Sequence, residues 1–228
     1  MTPLSEPEIS AIVVSLKVAG VATLCTLPLA FGLAFVLARR RFAGKPLVDA
    51  LVNLPLVLPP VVTGYLLLIA FGRDGWAGQA LGLLGISVLF RWTGAAIAAG
   101  VMALPLMVGP MRLALEAMDR RLEAAAATLG ASRARVFVTI TLPLIAPGII
   151  AATVLGFAKA LGEFGATAIF VSVIPGETET LPLAINALLQ VPGGEAAALR
   201  LALLAVVIAV LALVVAQYWQ RRAGAHRR

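Results

Sequence analysis

The sequence predicts an all-α, polytopic membrane protein. Of its 228 residues, 61% are hydrophobic and only 13% charged. The mean hydropathy is +1.01, and the apolar residues fall in long runs separated by short basic or Pro/Gly-rich connections. A soluble fold of this length has too little interior to hide so much apolar surface, so lipid is the solvent for much of it. A helix needs about 20 mainly apolar residues to cross the hydrocarbon core, and five segments meet that requirement.

The first span is expected over 9–38, interrupted only by Lys17 near its start. Its flank carries Glu6 and Glu8, and its apolar run exceeds the core of a signal peptide, so it reads as a permanent anchor. The second, 48–72, holds Pro55, Pro59 and Pro60, each of which removes a backbone donor. That marks either a bent, pathway-lining helix that opens and closes a route, or a static kink that improves packing. The third is expected over 93–115, where Gly94, Gly100 and Gly109 permit close helix approach. A polar insert, 116–139, precedes the fourth span, 140–164. The fifth is expected over 199–219. The apolar stretches 80–90, 166–174 and 181–189 are too short or broken to count as spans.

Charge fixes the expected orientation. Most of the 18 basic residues lie in three places. Arg39, Arg40, Arg41 and Lys45 follow the first span; Arg112, Arg120, Arg121, Arg133 and Arg135 surround the insert; Arg221, Arg222, Arg227 and Arg228 form the tail. The other side holds Arg73 and Arg91 with Glu6, Glu8, Asp74, Glu177, Glu179 and Glu195. The positive-inside rule then places the N-terminus outside and the C-terminus in the cytoplasm after five crossings. The net charge of +7 is thereby an orientation signal, and no nucleic-acid partner is expected. A lone Cys25 and a lone His226 in the tail offer no disulfide framework, metal site or catalytic constellation. The chain is not expected to be an enzyme.

Two charges lie deep in a predicted span. Lys159 and Glu163 are four apart, on one face of a helix, and burying them in lipid is costly unless they meet protein or water. They form either a mutually neutralising structural pair, or a cation that attracts a passing dianion with a carboxylate that holds it in place.

The insert carries the most information. Asp119 suits the N-cap of a short helix, Gly130 the left-handed position that ends it, and Ser132 the cap of a second helix leading into the fourth span. The run Leu122-Glu123-Ala124-Ala125-Ala126-Ala127-Thr128-Leu129-Gly130, then Ile140-Thr141-Leu142-Pro143, resembles the EAA loop of ABC-importer permeases: Glu-Ala-Ala, three residues, Gly, nine residues, Ile-x-Leu-Pro. Glu123 stands seven positions before the glycine where the commonest form has six. The segments Asn53–Tyr65, Leu161–Thr167 and Ile174–Thr178, with Pro192-Gly193-Gly194-Glu195, are similar to molybdate permease subunits.

The resemblance implies a single permease domain over 1–228 with the type I importer core, lacking the additional N-terminal helix of some relatives. It implies a homodimer in the bacterial inner membrane, with the pathway between two copies. Its partners would be ATP-binding-cassette ATPase subunits docked on the loop through Glu123, Ala124, Ala125, Ala126, Gly130, Ile140, Leu142 and Pro143, and an extracytoplasmic molybdate-binding protein. No G-x-x-x-x-G-K-[ST] phosphate loop occurs in the sequence, so ATP and Mg are expected on the ATPase and no cofactor on this chain. The segment 175–195 reads as a docking surface, an outer gate or an ordinary connection. Tungstate, sulfate or thiosulfate are the competing cargoes. A secondary carrier would call for an internal repeat or a conducting polar stripe, and neither is evident.

Overall fold

Ser5 opens the first helix: its backbone N–H and its hydroxyl both donate to Glu8 Oε2, at 2.7 and 2.8 Å. That closes the first turn of α1 (Glu6–Arg39), which then runs unbroken for 34 residues despite Pro28. The computed structural model describes residues 4–225, with side chains as far as Val215. Of the basic tail, His226, Arg227 and Arg228 lie outside the described residues, and the side chains of Arg221 and Arg222 are likewise not described.

All regular secondary structure in the described chain is helical: α2 (Lys45–Val57), α3 (Pro60–Phe71), α4 (Trp76–Gly82), α5 (Trp92–Ala117), α6 (Arg120–Thr128), α7 (Arg133–Val136), a π-helical turn (Phe137–Thr141), α8 (Leu142–Leu161), α9 (Gly165–Val171), α10 (Leu181–Leu189) and α11 (Glu195–Ala225). Four helical stretches are long and apolar enough to cross a membrane: Glu6–Arg39, Trp92–Ala117, Arg133–Leu161 and Glu195–Val215. The fifth candidate is the pair α2 and α3 taken together.

The second span is therefore not the single helix expected over 48–72. It is two helices bent by 115° across Leu58 and Pro59. The cause is local. Pro59 and Pro60 have no N–H, so the ladder that would continue from α2 has no donors at two successive positions. The fourth span also differs from 140–164: the helix ends at Leu161 with Gly162 as cap, and its start is drawn back through the π turn to Arg133.

α5 is the central helix. It packs on α1 along one side and on α8 along another. The α1 face is built of small residues at three- and four-residue spacing: Ala11, Ser15, Ala19, Ala22, Thr26, Ala30 and Ala34. Ala19 and Ala22 of this face share a core with Ala95, Ala98 and Ala99 of α5, and Ala30 and Ala34 share one with Ala103. Small side chains let two backbones approach, which in lipid replaces the hydrophobic driving force as the source of packing energy. A Cβ on Gly100 would stand 2.6 Å from Thr26 Oγ1, so that glycine is a close-packing position, while Gly109 faces open space.

At the α1 N-terminal end, Leu181 and Ala184 of α10 and Leu201 of α11 close over Ala11. Arg200 of α11 donates through Nε to Glu8 Oε1 at 2.9 Å, a buried carboxylate that joins the first long helix to the last. The Leu181 amide donates to Ser15 Oγ.

Candidate functional site

Two groups of residues answer to the sequence expectations, one at the α1 C-terminal end and one in mid-bundle. The first is the insert. Asp119 Oδ1 accepts from the Arg121 amide at 2.9 Å, which starts α6. Gly130 ends it at φ +81. The Gly130 amide donates to Ala127 O and the Ala131 amide to Ala126 O, the paired bonds that a left-handed residue makes possible at a helix C-terminus. Ser132 Oγ accepts from the Arg135 amide at 3.4 Å and starts α7. All three positions behave as their residue types dictate.

The junction between α7 and α8 was not legible in the sequence. There the backbone widens into a π turn, in which the Leu142 amide reaches back five residues to Phe137 O. The turn places Thr141 in the interior, leaves Ile140 half-buried, and leaves Leu142 and Pro143 exposed. Leu122 and Val138 are also exposed, and Leu129 is 88% exposed at the tip. Ala124 and Ala125 face outward and Ala126 is half-buried. Glu123 turns the other way. Its Oε1 accepts from Arg39 Nη2 at 3.0 Å and from Thr141 Oγ1 at 2.6 Å. In the sequence alone Arg39 reads only as a topological charge. Its guanidinium also approaches Met118 Sδ at the end of α5.

The second group surrounds the break in the second span. Lys159 Nζ lies 2.6 Å from Glu163 Oε2. Glu163 does not share the helix of Lys159, because it sits beyond the Gly162 cap. Its other oxygen accepts from the Ala166 amide at 3.0 Å, so the carboxylate satisfies an orphan donor at the start of α9. α9 in turn packs tightly on α3. A Cβ on Gly64 would lie 2.5 Å from Ala166 O, and one on Gly165 would lie 2.8 Å from Pro60 Cβ. The structure thus brings Pro60, Lys159 and Glu163 into one neighbourhood, with Pro59 as the cap of α3. Pro55 remains inside α2, on the other limb of the break.

The segment 175–195 consists of α10 flanked by two turns, and the turn before it is tied by side-chain hydrogen bonds. Ser172, at φ +60, accepts from Thr178 Oγ1 at 2.8 Å, while Thr178 Oγ1 accepts from the Ile174 amide at 2.9 Å. α10 comes next. Glu177 Oε1 accepts from the Trp92 amide at 3.3 Å, at the N-terminus of α5, and Lys17 Nζ sits 3.7 Å from the Trp92 ring centroid. Burial pushes the Glu179 carboxyl up from its ordinary value.

Long apolar helices, one broken span and a two-helix loop projecting from one end define a polytopic membrane bundle. The fold agrees with solved ABC transporters. A bacterial alginate ABC transporter in complex with an alginate-pentasaccharide-bound periplasmic protein superposes with a TM-score of 0.74 at 21% identity, covering 96% of this chain and 80% of that one. The MetNI methionine ABC transporter in an inward-facing conformation gives 0.73 at 18% identity, covering 96% and 99%. The sequence matches the binding-protein-dependent transport system inner membrane component family over residues 27–224. It is 53% identical over 219 residues, 96% of each chain, to the molybdenum transport system permease protein ModB of Escherichia coli K12. The chain belongs to that family of inner-membrane transport components; it is a permease subunit.

Proposed function

We propose that the chain is the permease of an ATP-driven molybdate importer, working as a homodimer with the pathway between the two copies. The observation that carries the coupling role is the loop α6–α7: an ordered two-helix projection whose outward face offers Leu122, Ala124, Ala125 and Leu129 to a partner. Apolar groups held out from a membrane protein into water are retained where another protein covers them. Two cytoplasmic ATPase subunits bind there and hold the ATP and Mg. Molybdate as cargo is supported by the 53%-identical molybdenum permease. An extracytoplasmic binding protein as the delivering partner is supported by the alginate transporter that carries a periplasmic one.

With the N-terminus outside and the C-terminus in the cytoplasm, α6 and α7 face the ATPases, and α10 with the ordered 172–180 turn faces the binding protein. ATP binding draws the ATPases together and carries the two docked loops with them. The helices rotate as rigid bodies, and access switches outward; hydrolysis resets it. This is a two-state equilibrium biased from both ends by ligands. Near the break between α2 and α3, Lys159 supplies a cationic group for the pathway, and Pro55, Pro59 and Pro60 give that span its two limbs.

Uptake of molybdate, tungstate and sulfate in competition, by cells with and without the chain, tests the cargo. Loss of sulfate uptake alone on deletion refutes molybdate. For the loop, Gly130→Asp is informative because a side chain there meets nothing within 4 Å in the chain itself and Asp is among the residues that tolerate φ +81. Loss of ATPase co-purification with intact membrane insertion is expected, and unchanged co-purification and ATP-driven uptake refute the docking role.

A further inference from the structure

We infer that Glu123 is a positioning residue that clasps the coupling helix to the permease, rather than a group presented to the ATPase. The inference rests on the coupling role proposed for α6–α7. Oε1 of Glu123 is the meeting point of two donors from separate elements: Arg39 Nη2 at the last residue of α1, at 3.0 Å, and Thr141 Oγ1 at the last residue of the π turn, at 2.6 Å. The donors are enclosed. The Arg39 side chain is 9% exposed and Thr141 is buried, while Glu123 keeps 28%. Arg39 also reaches Met118 at the end of α5. One carboxylate therefore joins α6 to α1 and to the turn that begins α8, and its cation touches α5.

Two local features make this geometry. Neighbouring positions on an α-helix differ by about 100° in direction. Glu123 points back at the bundle, whereas Ala124, the next position, faces outward. The one-residue offset of the acidic position thus selects the inward face. On the other side, the π turn inserts an extra residue into what would be one continuous helix from Arg133 to Leu161. That changes the direction of every side chain before it relative to α8, and it sets Thr141 opposite Glu123 while leaving Leu142 exposed. A π turn costs hydrogen-bond quality, and such turns recur where a functional side chain must be re-aimed.

The mechanical consequence is that α6 moves as one body with α1 and the start of α8. A loop tethered only by Met118–Asp119 and Leu129–Ser132 would absorb a push from the ATPase by swinging on its connections. The clasp turns the push into displacement of two spanning helices.

The test uses the chain with its ATPase and binding protein in lipid vesicles, reading oxyanion taken up per ATP hydrolysed, ATPase co-purification, and hydrogen exchange of the amides of α6. Arg39→Glu and Glu123→Arg each set like charges together; the double reversal restores the pair. Each single reversal is expected to lower uptake per ATP by about fivefold or more, and the double to recover to within about twofold. Co-purification is retained throughout, and α6 exchanges faster in the singles only. Thr141→Ser keeps the donor and the wild-type ratio, while Thr141→Val lowers it. A double reversal no better than either single, or unchanged α6 exchange in all variants, overturns the clasp. Loss of co-purification with Glu123→Arg that Arg39→Glu does not rescue overturns it in favour of a direct ATPase contact. An unaltered chain that fails to retain the ATPase removes the coupling role itself. The exchange measurement still decides whether the clasp holds α6.

Discussion

Removing Lys159 alone should destabilise the permease before it says anything about transport. Glu163 is 1% exposed, and its partners are Lys159 Nζ at 2.6 Å and the Ala166 amide at 3.0 Å. Lys159→Met leaves an enclosed carboxylate with one neutral donor. Breaking a buried pair by removing one member costs about 3–5 kcal/mol, and the 27% exposure of the lysine side chain places this one near 3. For a chain of this size that lowers the unfolding midpoint by about 6–12 °C. Lys159→Met combined with Glu163→Gln removes both charges together, and an amide oxygen at position 163 still accepts from Ala166. Most of the loss should return. The assay is thermal unfolding of the detergent-purified chain, followed by uptake in vesicles at a temperature where both variants are folded. A midpoint for Lys159→Met within about 2 °C of the parent, or a double variant no more stable than the single, refutes the reasoning. The double variant also separates the two roles of the lysine. Restored stability with restored uptake makes the pair structural. Restored stability with uptake still reduced assigns Lys159 to the passing dianion.

Three further outcomes are expected. Gly64→Ala should destabilise the α3–α9 contact by about 1–3 kcal/mol, because the new Cβ meets backbone atoms of Ala166 that cannot step aside. Gly82→Ala, where nothing lies within 4 Å, is the control, and equal melting of the two variants sinks the argument. Gly130→Ala forces an L side chain into φ +81 and should cost about 1 kcal/mol, whereas Gly130→Asn should cost less because Asn tolerates that region; comparable α6 hydrogen exchange in both variants contradicts it. For Glu179 the folded state holds the proton more tightly than the unfolded chain. Its contribution is therefore most favourable below the unfolded carboxyl value and is lost as pH rises through the folded one. Glu179→Gln should raise the melting temperature near neutral pH and not in acid, and a difference independent of pH would rule this out.

The parts of the fold that the sequence displayed are those decided within a few residues. Asp119, Gly130 and Ser132 act through bonds to amides and carbonyls at most five positions away. Their chemistry is complete in the local string. The spans were legible because lipid imposes a length. The π turn left no mark in composition, since Phe-Val-Thr-Ile-Thr reads equally well as ordinary helix. The prolines of the second span announced a disturbance without its size, because a kink and a 115° turn begin with the same missing donors and differ in what the second limb packs against. Here that is α9, held close by Gly64 and Gly165. Longest-range pairs were the least legible. Arg39 and Glu123 lie 84 positions apart, and Glu8 and Arg200 lie 192 apart. Arg39 had a sufficient local explanation as an orientation charge and Glu8 as an acid flanking the first span, which hid their partners.

The turn at Leu58–Pro59 also says which apolar surface must stay away from lipid tails. In a helix the carbonyl of each residue accepts from the amide four positions later. For Leu51, Pro55 and Leu56 that position is Pro55, Pro59 and Pro60, which have no hydrogen to give. Three acceptors therefore need donors from elsewhere, and hydrocarbon has none; each would cost several kcal/mol if left there, on the order of a whole lost hydrogen bond. Leu56 is 50% and Val57 79% exposed, and by hydropathy they resemble the exposed leucines and valines of α11. Their backbone makes them different. α11 can rest against acyl chains along its length, whereas the elbow needs water or a protein donor beside it. The need for a polar neighbour at the elbow is thus set by where the prolines fall, in a stretch of side chains that are almost all greasy.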